Sequence, residues 1–173
     1  MLTVFGTKGR MTALFQGELR VPVTKITVLP QTVLRTKTQD KDGYQASVVN
    51  LGKKLIKEIR GESTGALAVG DMVEVRAVSK GKGWAGVVRK WGFHGGPKTH
   101  GQSDRERAPG SIGQTTTPGR VYKGKKMGGR MGGEQVFVKN LEVVAIENEG
   151  QVVLLKGAVP GHSGSLVTIT KKV

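Results

Sequence analysis

The chain has no cysteine, and only eight of its 173 residues are aromatic: two Trp, two Tyr and four Phe. Without cysteine there are no disulfides, no thiolate metal sites and no thiol nucleophile, a composition that suits a reducing compartment. No run approaches 18 consecutive apolar residues, so no membrane-spanning helix is expected. The opening MLTVFGTKGRM lacks the charged-then-apolar design of a secretory signal, and export is not expected. Acids are scarce as well: 13 Asp and Glu face 28 Lys and Arg, for a net charge of +15. An excess of that size calls for an anionic partner, with nucleic acid first and an anionic membrane surface second.

What is present is unevenly spread. A hydrophobic fraction of 36% is that of a globular protein, and the length suits one domain or one domain with an appendage. Residues 1–75 carry eleven Lys and Arg against seven acids; residues 76–133 carry thirteen against two; residues 134–173 carry four against four. The middle segment thus holds +11 of the +15. It also has fifteen of the 27 glycines and only five Val, Ile or Leu in 58 positions, too little apolar surface to offset its own ordering entropy. Its densest part, GSIGQTTTPGRVYKGKKMGGRMGG (Gly110 to Gly133), has eight glycines, five basic residues and no acid.

The flanks read as strands. VPVTKITVL (Val21 to Leu29) is β-branched and alternating, with a change of phase near Thr24 that predicts a bulge. MVEVRAV (Met72 to Val78) alternates Val73, Val75 and Ala77 against polar neighbours. LEVVAI (Leu141 to Ile146), VVLLKG (Val152 to Gly157) and SLVTIT (Ser165 to Thr170) are further strands, separated by the turns ENEGQ and VPGHSG. One short helix is expected in LGKKLIKEIR: Asn50 as its cap, Leu51, Leu55 and Ile59 on one face, Lys54 and Glu58 as an i,i+4 pair, Gly61 as its end. Short strands with one brief helix predict a mainly β chain: a single antiparallel barrel from residues 1–79 and 134–173, with residues 80–133 as a long basic, glycine-rich insertion.

Two glycine motifs in the insertion resemble nucleotide sites and lack the required context. GKGWAG (Gly81 to Gly86) has the G-x-G-x-x-G spacing after a strand, but VVRKWGFHGGPK leaves no room for a helix of useful length behind it. GRVYKGKK (Gly119 to Lys126) approaches the phosphate loop, but Lys126 replaces the magnesium-binding hydroxyl, and glycines follow it. His94 and His100, with five residues between them and no cysteines, make a weak zinc pair; solvated or RNA-facing histidines are the simpler reading. Asp104 and Glu106 flank Arg105, with Arg107 nearby, and local ion pairing accounts for them better than acid–base chemistry. No base is placed to activate a serine. Neither a catalytic site, a cofactor nor a metal is expected.

The nucleic-acid reading draws on several features together. Lys80, Lys82, Arg89, Lys90 and Lys98 alternate with Trp84, Trp91 and Phe93. Cations meet phosphates, aromatic faces and Arg planes stack on unpaired bases, and glycines admit backbone N–H groups to phosphate oxygens. The alternative for Trp84 and Trp91 is that they anchor the base of the insertion onto the barrel. Arg105, Arg107, Arg120, Lys123, Lys125, Lys126 and Arg130, with His94 and His100, extend the expected RNA-binding set. A general single-stranded nucleic-acid chaperone and a nucleotide-dependent enzyme are the rival functions.

SKGKGWAGVVRKWGF (Ser79 to Phe93), THGQSDRERAPGSIGQTTTPGRVYKGKKMGGRMG (Thr99 to Gly132) and KGAVPGHSGSLV (Lys156 to Val167) resemble the family of ribosomal protein three of the bacterial large subunit. GTKGRMTALFQ (Gly6 to Gln16) is similar to that family's start, with Gly9-Arg10-Met11 in place of the commoner Gly-Met. Between about Gly52 and Leu67 the chain is shorter than bacterial members. The resemblance implies a barrel of the translation-protein type seated on large-subunit (23S) RNA, with the insertion running toward the peptidyl-transferase centre. It implies an early role in subunit assembly, ribosomal proteins fourteen and nineteen as neighbours, no homo-oligomer, and a cytoplasmic, ribosomal location. In some bacteria of that family the glutamine of GSIGQ is methylated; the resemblance implies that its counterpart here is Gln114 and that this residue lies nearest the catalytic RNA.

Overall fold

The computed structural model describes residues 2–52, 55–60 and 66–171. Its elements are, in chain order, β1 (Leu2–Gln16), β2 (Leu19–Val28), β3 (Thr32–Lys37), α1 (Gln39–Asp42), β4 (Ala46–Asn50), β5 (Ile56–Ile59) and β6 (Met72–Val78). Then come β7 (Trp84–Ala85), α2 (Val87–Trp91), β8 (Gly129–Arg130), β9 (Gln135–Glu147), a 3-10 turn at Asn148–Gly150, β10 (Val152–Lys156) and β11 (Leu166–Lys171). The chain is mainly β, as its alternating runs predict. It divides into two compact units, Met1–Lys80 with Gln135–Val173, and Gly81–Glu134.

In the first unit six antiparallel strands pair in the order β1-β11-β6-β9-β10-β2, and β2 pairs back onto β1, closing the sheet into a barrel. Closure leaves no unpaired edge among these six strands. Period-two patterning fills the inside: Val73, Val75 and Ala77 of β6 are buried together with Ile26, Val143, Val153, Leu155, Val167 and Ile169. A second sheet, β3-β4-β5, lies outside the ring, and its Val49, Leu51 and Ile59 form a separate cluster with Phe5 of β1. This sheet is an addition to the single barrel expected from the sequence.

The change of phase in β2 is present, since Val21, Val23, Thr24 and Ile26 are all buried. The extra residue, however, sits on β1: Lys8 pairs with Ile26 and Met11 with Thr24, so Gly9 and Arg10 face Lys25 alone. Thr24 donates its hydroxyl to the Gly157 carbonyl at 2.6 Å, satisfying the one buried polar side chain among the described core residues.

The helix expected over LGKKLIKEIR does not form. Residues Ile56–Ile59 are strand β5, paired with β4 from Asn50↔Ile56 to Ser47↔Ile59. Asn50 accepts a hydrogen bond from the Gly52 N–H at 3.0 Å, and Gly52 is left-handed at φ 84°, so Asn50 starts a turn instead of a helix. Glu58 accepts from Lys37 at 2.8 Å. Lys54, its expected helical partner, and Gly61 lie outside the described residues. The two helices that do form, α1 and α2, are single turns elsewhere in the chain.

Candidate nucleic-acid interface

Of the residues singled out in the sequence, Lys80 belongs to the first unit and all the others to the second. That second unit, residues 81–134, carries eleven Lys and Arg against three carboxylates, a net +8. Its only buried side chains are Ala85 and Val87. Its architecture is built from backbone pairing and glycine turns. The ribbon of β7 and β8 pairs Trp84 with Arg130 and Ala85 with Gly129, and is continued by Lys82 N–H to Met131 O at 2.8 Å and Met131 N–H to Gly83 O at 2.9 Å. Helix α2 opens at Gly86 and stops at left-handed Gly92, φ 73°. Five residues give the GKGWAG motif no helix on which a pyrophosphate could rest, and no helix follows GRVYKGKK at all.

Around α2 the structure gathers part of the expected set. The Trp91 indole donates to the Met127 carbonyl at 2.8 Å. The Lys90 and Lys126 ammonium groups lie 5.1 and 5.6 Å from its ring centroid, within cation–π range. A Cβ on Gly129 would stand 3.2 Å from the Lys90 ammonium, so the lysine tip lies directly over this glycine. Trp91 therefore fastens the returning arm to α2, a contact inside the second unit and not the anchoring onto the barrel read as the alternative in the sequence. Trp84 is 78% exposed and open to solvent.

The remaining cations are spread along the unit, Arg89 on α2, Arg130 on β8 and the rest on loops. Arg89, Lys98, Arg105, Arg107, Arg120, Lys123, Lys125, Lys126 and Arg130 are exposed, as are His94, His100 and Gln114, while Lys90 and Phe93 are half-buried. Among the described residues, Lys98 is the one Lys or Arg of this unit within 4 Å of a carboxylate, pairing with Glu106 at 3.2 Å. The expected pairing of Arg105 with its two neighbours is thereby corrected. Glu106 turns to Lys98, and Asp104 accepts from the Ser103 hydroxyl at 2.9 Å. Among the described residues the other ten cations have no carboxylate within 4 Å, and nine of them are exposed. A surface of this charge is suited to a polyanion, whose condensed counterions it would release. Among the described residues no cluster of three His, Asp or Glu could hold a metal.

Sequence reasoning missed Tyr122. It is 60% exposed, and the Arg120 guanidinium lies 5.9 Å from its ring centroid. The signal was present: an aromatic residue between basic ones, the same pattern that drew notice to Trp84 and Trp91.

Known proteins place this chemistry in a family. The family model described as Ribosomal protein L3 matches residues 21–152. The large ribosomal subunit protein uL3 of Dehalococcoides mccartyi is 40% identical in an alignment covering 97% of each chain. That of Herpetosiphon aurantiacus is 43% identical, covering 97% of this chain and 95% of its own, and that of Pseudomonas entomophila 38%, covering 98% and 96%. By a family match over most of its length and by near-complete alignment with these relatives, the chain belongs to the ribosomal protein L3 family.

Proposed function

We propose that the chain is a structural, non-enzymatic constituent of the large ribosomal subunit that binds 23S RNA through residues 80–133. On this reading the protein works in the cytoplasm as part of the ribosome and supports early subunit assembly. It carries Gln114, the position open to methylation, toward the peptidyl-transferase centre. The first unit serves as a barrel of the translation-protein type, with ribosomal proteins fourteen and nineteen as neighbours and without self-association.

One observation carries the reading. Ten cations of residues 81–134 have no carboxylate within 4 Å among the described residues, in a unit whose buried side chains are Ala85 and Val87 alone. Neither a folding role nor an internal ion-pair network accounts for such a surface, because mutual repulsion among these charges costs stability unless an anion offsets it. Glycine-rich loops let the main chain approach phosphates closely, and exposed Trp84, Tyr122 and Arg side chains offer planes for unpaired bases. Peptide-bond chemistry then belongs to RNA, with the protein positioning it and neutralising its charge.

The test is the salt dependence of binding to a large-subunit RNA fragment. Six to ten phosphate contacts predict a fall of about three to five decades in affinity between 50 and 200 mM salt. A nearly flat log–log plot would remove the electrostatic basis of the proposal. Equal affinity for unrelated RNA at every salt concentration would favour a general single-strand chaperone instead.

A further inference from the structure

Within residues 81–134 a cleft of about 750 Å³ opens between the segments 92–96 and 105–111. That volume is in the range of about 300–1,000 Å³ typical of small-ligand sites. Its walls are clamped at one end. The Gly96 N–H donates to the Glu106 carbonyl at 2.9 Å, and Lys98 pairs with Glu106 at 3.2 Å. A Cβ on Gly95 would overlap the Glu106 carbonyl oxygen, and one on Gly96 would stand 2.8 Å from that of Arg105. The two segments touch backbone to backbone and are fixed in place, so the cleft is present before anything enters it.

Its lining combines flat, uncharged wall with cationic rim. Gly92, Gly95, Gly96 and Gly110 expose main chain, Phe93, Ala108 and Pro109 supply apolar surface, and no carboxylate faces in. Arg105 is flanked in sequence by Asp104 and Glu106, yet Ser103 holds one carboxylate and Lys98 the other. Among the described residues the Arg105 guanidinium and the His94 ring have no hydrogen-bond or ion-pair partner. The cleft therefore suits a ligand with a planar, largely apolar body and an anionic group.

Resting on the RNA-binding reading above, we propose that this cleft takes one unstacked nucleotide of the bound RNA. The base enters between Phe93 and the Ala108-Pro109 wall, and the phosphate meets Arg105. Glycine walls accept a flat ring at van der Waals distance, and the Gly95 and Gly110 N–H groups, which have no backbone partner among the described residues, can read its edge.

The test uses the full-length, ¹⁵N-labelled protein, with AMP and ribose 5-phosphate as probes and amide shifts as readout. AMP should shift Phe93 to Gly96 and Ala108, Gly110 and Ser111 saturably, and ribose 5-phosphate should bind at least about tenfold more weakly, since base–aromatic contact contributes about 1–3 kcal/mol. Arg105→Gln, at an exposed position that leaves the fold intact, should weaken AMP by about tenfold, the loss of one charge-assisted contact. Ala108→Leu should block AMP by filling the cleft while leaving the salt slope for the RNA fragment unchanged. With that fragment bound, AMP should no longer shift these amides. Equal shifts from the two probes, AMP binding unaffected by Arg105→Gln, or AMP still binding beside the RNA would each overturn the proposal. A flat salt plot would instead remove the RNA-binding reading itself.

Discussion

Seven positions separate Trp84 from Trp91, and the two indoles meet different surroundings. Trp91 spends its N–H on the Met127 carbonyl and lies beside two ammonium groups, whereas Trp84 is 78% exposed. An exposed indole in a cationic field is a stacking surface for an unpaired base. Trp84→Ala is expected to weaken binding to a large-subunit RNA fragment by about 1–3 kcal/mol with an unchanged melting temperature. Loss of thermal stability without loss of affinity would assign Trp84 to the fold. In the first unit a carboxylate has the opposite, structural character. Asp71, just before β6, accepts from Lys171 at 2.7 Å and from the Ala68 N–H at 2.8 Å. Lys171 first, and then this amide, hold its carboxyl below the ordinary Asp range. A carboxyl depressed in the folded state contributes stability that is present above its unfolded pKa, about 3.9, and is lost as pH falls through the folded value. Wild-type protein should therefore lose stability on the acid side of about pH 4 more steeply than Asp71→Asn, as followed by denaturant unfolding at stepped pH. Parallel profiles would sink the assignment.

At the scale of elements, β9 shows how irregularity is built into a barrel strand. Val73 pairs with Leu141 and Val75 with Val138, so β9 carries one residue too many there, and Asn140 takes a left-handed φ of 58°. A second irregularity follows, where Leu154 pairs with Ala145 and Leu155 with Val143. Asn tolerates the left-handed region and a β-branched residue does not. Asn140→Val is expected to cost about 1–2 kcal/mol and Asn140→Gly close to nothing, measured as shifts in the urea midpoint. Equal costs would mean that the side chain of Asn140, and not its backbone, matters. Elements whose alternation was clean were legible in the sequence: β6 with Val73, Val75 and Ala77, and β11 with Val167 and Ile169. Strand β1 escaped notice because Gly6, Lys8 and Gly9 weaken its strand signal. Gly6 is required by the partner strand, since a Cβ there would stand 2.6 Å from the Ile26 side chain and 2.8 Å from the Thr27 carbonyl. The misread helix has a related cause. Leu51, Leu55 and Ile59 fit one helical face, but Leu51 and Ile59 reach the same cluster as a hairpin packed on Phe5, and tertiary burial outweighs helical spacing. Spacing alone does not separate these two outcomes.

Across the whole molecule, charge and apolar surface are segregated. Every residue of the three buried clusters belongs to the first unit, while residues 76–133 hold +11 of the net +15. This division could be read from composition, which depends on no geometry. The anchoring of Trp91, the diversion of Glu106 to Lys98 and the cleft beside Phe93 could not, because glycine-rich chain has no periodicity from which to infer contacts. Segregation makes stability and binding separable. Arg120, Lys123, Lys125 and Lys126 are exposed, belong to none of the buried clusters, and have no carboxylate within 4 Å among the described residues. Replacing all four by alanine removes four cations from the arm that follows Gln114. If each meets a phosphate, the slope of log affinity against log salt should fall by about 3 to 4, at 0.7 to 0.9 per contact. Cation–π contacts of Lys126 with Trp91 and Arg120 with Tyr122 are also lost, so local order in the arm should decrease. The unfolding transition of the barrel should stay where it is, because none of its core is touched. A quadruple variant with an unchanged salt slope and a lowered melting temperature would show that these charges serve folding. An unchanged melting temperature with the reduced slope would show that they meet phosphates.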